Sequence, residues 1–228
     1  MALHSQFGIG NRLWLAGLAF ALALPFAPGA GAASITFELS IEFSGGTMPE
    51  GTPPFLTASF DDSVGGPNDV RLTMSASGLV DVESVVLWFF NFNPALDPTQ
   101  ITFTAVNNAA SVPNSITAGV NAFMADGDGN FDILFDFPPP PGSNAARFTA
   151  GETVIYDLTY ISPIDVSDFN FFSEMGGGNG SYLTAGHVTR IGPYNNLSGF
   201  IGAVPEPATA LLLGMGLAGL AVVGRRGH

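Results

Sequence analysis

The chain contains no cysteine and no lysine, and only three histidines. Without cysteine there is no disulfide, no thiolate nucleophile and no thiolate metal site. His4 and His228 lie near the two ends, so His187 alone serves the long middle of the chain, and a multi-histidine site is excluded there too. Basic residues are scarce: six arginines face 19 acidic residues, for a formal net charge of −13. A surface of that sign repels phosphate and excludes nucleic acid as a partner. It suits solubility outside the cell and also attracts divalent cations. Long amphipathic helical patterns are missing as well. What remains is two uncharged apolar runs near the ends, and between them a stretch rich in phenylalanine, glycine and alternating strands.

The first apolar run follows a segment whose single charge is Arg12. Residues 13–26 are apolar, Pro25 and Pro28 break the run, and Ala30-Gly31-Ala32 supplies a small-x-small pattern. This reads as a secretory signal peptide over residues 1–32, cut after Ala32, with Ala33 as the alternative cut and an uncleaved anchor helix as the alternative reading. It brings in the secretion machinery as a partner.

The second run has three parts in order: Val204-Pro205-Glu206-Pro207, an uncharged stretch over 208–223, and Gly224-Arg225-Arg226-Gly227-His228. Pro205 and Pro207 keep a helix from starting earlier, because proline fixes φ and biases its predecessor toward extended backbone. The 16 residues of the stretch make roughly 24 Å of helix, slightly short of the ~30 Å hydrocarbon core. Bilayer thinning or snorkelling of Arg225 and Arg226 covers the difference, and the arginines place that end in the cytoplasm. A buried core helix is the plainer alternative. Ala210, Gly214 and Ala218 fall four apart, a small-residue face that packs helices or simply reflects glycine-rich membrane composition.

This order of parts resembles the PEP-CTERM sorting signal of Gram-negative bacteria, the tail handled by exosortase-type processing enzymes. The resemblance implies an exported protein held transiently in the inner membrane by residues 208–223. It implies cutting near Val204, Pro205, Glu206 and Pro207, with release or transfer of the body to the cell envelope or the extracellular space. It also suggests exopolysaccharide or biofilm surroundings. A glycolipid-anchor signal fits less well, since basic residues follow the apolar run, and the Leu-Pro-x-Thr-Gly motif of a sortase tail is absent.

Residues 33–203 form one domain's worth of chain. Removing Arg12, Arg225, Arg226 and Glu206 from the count leaves three arginines and eighteen acidic residues, a formal −15. Residues 34–43 alternate strictly, with Ile35, Phe37, Leu39, Ile41 and Phe43 on one side. The same period places Val70, Leu72, Met74 and Ala76 together, then Phe131, Ile133, Phe135 and Phe137, then Val154, Tyr156, Leu158 and Tyr160. Further strands are expected at 55–60, 82–92, 101–106, 169–172, 187–191 and 197–201, and a short helical turn within 114–125. Glycine, proline and asparagine clusters separate them. The pattern predicts an all-β fold, an antiparallel β-sandwich of jelly-roll-like kind with an aromatic core.

Candidates for chemistry are few. Asp126, Asp128, Asn130 and Asp132 place oxygen ligands at every second position among glycines, as a calcium loop would. Phe131 and Phe137 stand where an EF-hand needs Gly and Glu, so a helical EF-hand is excluded. The alternative is a plain hairpin, which Asp-Gly favours. Asp61-Asp62 is a weaker acidic site. Trp88, Phe89, Phe90 and Phe92 make an aromatic strand, either an exposed sugar-stacking row or a strand buried on both faces. No Gly-x-Ser-x-Gly elbow accompanies His187, and no pair among eighteen carboxylates stands out for glycoside hydrolysis. Gly176-Gly177-Gly178-Asn179-Gly180 lacks the Lys-Ser/Thr of a phosphate loop and reads as a flexible loop. The expectation is an exported, non-enzymatic envelope or matrix protein, with calcium as the sole candidate cofactor. The alternative is a carbohydrate-binding or carbohydrate-active sandwich, for which an exposed Trp88 near two carboxylates would speak.

Overall fold

A computed structural model describes residues 33–107, 111–139, 147–178 and 180–203. The expected signal peptide and the expected membrane-spanning tail lie outside these residues. Among the described residues no helix is long and apolar enough to cross a membrane.

Within them the chain is built from strands: β1 Ser34–Leu39, β2 Ile41–Glu42, β3 Leu56–Asp61, β4 Asp69–Ser75, β5 Ser84–Phe90, β6 Thr102–Asn107, β7 Ser115–Ala125, β8 Asp128–Asp136, β9 Phe148–Thr149, β10 Thr153–Thr159, β11 Thr184–Ile191 and β12 Leu197–Ala203. They form two antiparallel sheets. One runs β1-β3-β4-β10-β6; the other runs β2-β12-β11-β5-β8-β7, with β9 added on β5. Of the expected jelly-roll-like sandwich, two facing antiparallel sheets are present.

The alternating residues explain why the sheets face each other. Phe37 and Leu39, Val70, Leu72 and Met74, and Val154, Tyr156 and Leu158 are buried from the first sheet. Trp88, Phe90, Ile133 and Phe135 meet them from the second, all in one core cluster. Phe60 packs edge-on against Phe90 at 5.6 Å and Tyr156 against Phe135 at 5.2 Å, so aromatic rings bridge the layers. Ring pairs in this geometry add to the area they bury, since the edge of one ring meets the face of the next.

The structure departs from the sequence pattern in three places. Residues 34–43 are not one strand. The chain breaks at Ser40, whose amide bonds to Gly202 O at 3.2 Å, and β2 joins the opposite sheet beside β12. Ile41 is exposed, and Phe43 stacks on Tyr182 at 4.1 Å outside the sandwich core. Residues 115–125, where a helical turn was expected, form β7, the longest strand. The stretch holds β-branched and aromatic residues and pairs with β8 over Ser115–Ala118 and again over Phe123–Ala125, and this outweighs its alanines. Around 169–172 a 3-10 turn, Val166–Phe169, replaces the expected strand. Asp165 caps it by accepting from Ser167 N at 2.7 Å, and Phe169 reaches into the core.

Candidate functional site

Asp126 and Gly127 form the two-residue turn between β7 and β8, with φ of 49° and 83°. Positive φ at both positions is the mirror-image turn that matches strand twist, and Asp-Gly adopts it readily. Farther down the hairpin, β7 bulges between Ala118 and Phe123, so that the main chain around Asn121 has no ladder partner on β8. Asp132 fills the gap. Its carboxylate accepts from Asn121 N at 2.7 Å and from Phe92 N at 2.9 Å, the latter just past the end of β5.

Beyond the bulge the hairpin lies against the outer face of the second sheet. Phe131 and Ala125 are fully buried there with Phe89, Ala185 and Tyr182 in a second, smaller core, with Phe131 5.5 Å from Phe89. The segment leading into β11 closes over the hairpin from the other side. Asn130 and Glu174 exchange main-chain hydrogen bonds at 2.7 and 3.1 Å, and Gly178 N bonds to Gly127 O at 2.9 Å. A side chain at Gly178 would collide with the Asp128 carboxylate, so the glycine run provides a close approach there.

The four residues of the calcium-like pattern therefore have separate surroundings. Asp126 is exposed at the tip, Asp128 is buried beneath Gly178, Asn130 is bridged to Glu174, and Asp132 holds the bulge. Among the described residues, no group of three or more carboxylate or imidazole side chains converges as a metal ion requires. Asp61 and Asp62 also have local partners: Asp61 accepts from Ser63 N at 2.8 Å, and Asp62 accepts from Ala33 N at 2.6 Å.

Trp88 is fully buried, and its indole N–H donates to Thr184 Oγ1 at 3.0 Å. Phe89, Phe90 and Phe92 are buried as well. Of the two readings of this strand, the one buried on both faces is present and the exposed row is not: β5 is central in its sheet, with the sandwich core on one side and the folded hairpin on the other. His187 stacks flat on Phe200, with ring centroids 4.3 Å apart and planes 1° apart. Burial pushes its pKa below the ordinary histidine value, partly opposed by the negative charge of Asp126. Sequence reasoning missed three of these relationships: the bulge at Asn121, the Ala33–Asp62 contact and the His187–Phe200 stack. The only advance signal was the Asp-Gly turn that starts the hairpin.

The last described element is β12. Ala203 is buried and pairs with Thr184, and Ala203 O accepts from Leu183 N at 3.1 Å. Thr184 is paired with Phe90, Phe90 packs on Phe60, and Phe60 is paired with Ile35 near the start of β1. The first and last described strands thus have their outer termini at one end of the sandwich. Pro205 lacks an N–H and cannot extend the ladder of β12.

The PEP-CTERM protein-sorting motif family matches residues 203–226. The chain carries a PEP-CTERM sorting motif. Its first matched residue, Ala203, is also the last described residue of β12. A PEP-CTERM motif implies export of the protein and handling by an exosortase-type enzyme. No curated protein and no solved structure matches the chain.

Proposed function

We propose that this chain is the substrate of an exosortase-type enzyme and has no catalytic role of its own. It is exported behind a signal peptide over 1–32 and folds as a sandwich over 33–203. Residues 208–223 hold it in the inner membrane, with Arg225 and Arg226 as the cytoplasmic stop. It is then cut near Val204–Pro207 and passes to the cell envelope or the extracellular space, in exopolysaccharide surroundings. The observation that carries this reading is the PEP-CTERM match starting at Ala203, directly on the end of β12.

Chain geometry adds to it. Only Val204, Pro205, Glu206 and Pro207 separate Ala203 from the apolar run, a reach of at most about 17 Å. The body is therefore held close to the bilayer until the cut. The start of β1 lies at that same end of the sandwich. A cut after Ala32 would also turn the Ala33 amide into an α-ammonium 2.6 Å from the Asp62 carboxylate, an ion pair that a cut after Ala33 would not form.

The test is fractionation with intact-mass analysis of the protein from its own cells. Wild type should begin at Ala33 and end within 204–207, outside the inner membrane. Replacing Pro205, Glu206 and Pro207 together with Ala should leave full-length tail in the membrane fraction. Unchanged processing and location in that variant would overturn the proposal.

A further inference from the structure

We propose that two copies of this chain pair edge to edge through β6 and β7. Residues 98–125 contain no Asp, Glu, Arg or His, in a body that otherwise carries eighteen acidic residues and three arginines. Both strands lie in that neutral stretch, and among the described residues each is the last strand of its sheet: β6 pairs there with β10 alone and β7 with β8 alone. They border the same flank, because Phe103 of β6 packs edge-on at 5.7 Å against Phe135 of β8, which is paired with Ile116 of β7. Thr102, Thr104, Ala105, Val106, Ser115 and Thr117 are exposed along it.

An open edge presents a row of unpaired N–H and C=O groups, and proteins usually guard it with charge, proline or bulges. The opposite edges follow this rule, with Glu38 on β1 and Glu42 on β2. At the β6/β7 flank no charge stands guard. Pro113 precedes β7, and each strand has a bulge, between Ala105 and Asn107 on β6 and between Ala118 and Phe123 on β7. These leave residues 102–105 and 115–118 as short regular edges. Such lengths stop an open-ended sheet from growing but suit one closed partner.

Charge selects the partner. Copies at −15 repel each other on their other faces, and the neutral flank is where that repulsion is weakest. Beside the regular edges the carboxylates sit one strand inward, where Asp136 is paired with Ser115, and Asp157, paired with Thr104, is held by Arg71; Asp132 and Glu174 are bonded to Asn121, in the bulge beyond residues 115–118. A second copy offers the same neutral edge, so a twofold axis through the flank joins β7 to β7 and β6 to β6, antiparallel in both sheets.

The experiment is sedimentation equilibrium of the mature, processed protein from micromolar to millimolar concentration. A monomer–dimer equilibrium is expected, and Thr104→Lys with Thr117→Lys should raise its dissociation constant at least about tenfold, because like charges would meet across the axis. Tryptophan emission of the variant checks its fold. Single cysteines placed in turn at positions 115 to 118 give an independent readout, since the chain has no other cysteine. In an antiparallel pair the residue on the axis faces its own copy within disulfide range, so mild oxidation should crosslink one position well above its neighbours. A monomer at every concentration, a dimer indifferent to both lysines, or absence of crosslinking at all four positions would each overturn the proposal.

Discussion

Asp132 accepts the amide of Asn121 at 2.7 Å across the gap where β7 bulges away from β8, and its other oxygen accepts the amide of Phe92 at 2.9 Å. One carboxylate thus stands in for two missing ladder bonds and fixes the place where the hairpin turns over the outer face of the sheet. Hydrogen bonds to a charged acceptor are the stronger kind, and stranded amides in a half-buried gap are costly. Asp132→Ala should therefore destabilise the fold by roughly 2–4 kcal/mol. Asp132→Asn should be intermediate, because its amide N cannot accept. Urea unfolding followed by tryptophan emission measures both, and a loss below half a kilocalorie in the alanine variant would refute this role.

Trp88 supplies a second check on the same sheet. Its indole N–H donates to Thr184 Oγ1, which in turn donates to Phe89 O at 2.6 Å. Thr184→Val keeps the shape and leaves the buried N–H without an acceptor, at an expected cost of about 1–3 kcal/mol. Trp14 lies in the expected signal peptide, so in processed protein Trp88 is the sole tryptophan reporter. Its emission should be that of a buried indole. Added soluble polysaccharide should leave it unchanged, since no sugar ring can reach a fully buried side chain.

The alternation of Val70, Leu72 and Met74, and of Val154, Tyr156 and Leu158, was enough to place core faces, because a period of two leaves one face buried. It could not say which sheet a strand joins. Ile41 and Phe43 keep the period of Ile35, Phe37 and Leu39 yet belong to the other layer, since the break at Ser40 is set by a bond to Gly202, far away in sequence. Phe131 likewise keeps step with Ile133 and Phe135 but packs on the outside with Phe89, because the bulge at Asn121 redirects the hairpin. Local pattern records burial. It does not record the long-range pairing that decides what does the burying. The sorting motif was legible because its signal is linear: two prolines, an acid, an uncharged run and two arginines in order.

The calcium-like pattern is decided by a titration. With Asp132 bonded to two amides and Asp128 beneath Gly178, millimolar calcium should leave the melting temperature of the processed protein unchanged. A ligand bound to the native state alone would raise it. A rise that Asp126→Asn or Asp128→Asn abolishes would establish calcium at this hairpin instead.

His187 gives the fold a pH dependence of definite sign. Burial against Phe200 pushes its pKa down, with Asp126 opposing, so the folded state prefers the neutral ring. Above pH 7 the ring is neutral in folded and unfolded chains alike and contributes no pH dependence. Below about 6.5 the unfolded chain takes up the proton first, so stability falls on acidification until the folded-state pKa is passed. The carboxyls of Asp61, Asp69 and Asp97 are held below their usual range by hydrogen bonds, first from Ser63, Thr159 and Thr99. Their stabilising effect is lost only in the more acidic window, below the ordinary carboxylate pKa of about 4. The two effects therefore separate along the pH axis. The melting temperature of wild type should drop between pH 7 and pH 5, and His187→Phe should flatten that part of the curve while leaving the steeper acid limb in place. Asp126→Asn should deepen the drop, since it removes the one charge that favours the protonated ring. A His187→Phe profile that still falls as wild type does between pH 7 and pH 5 would show that another group titrates there.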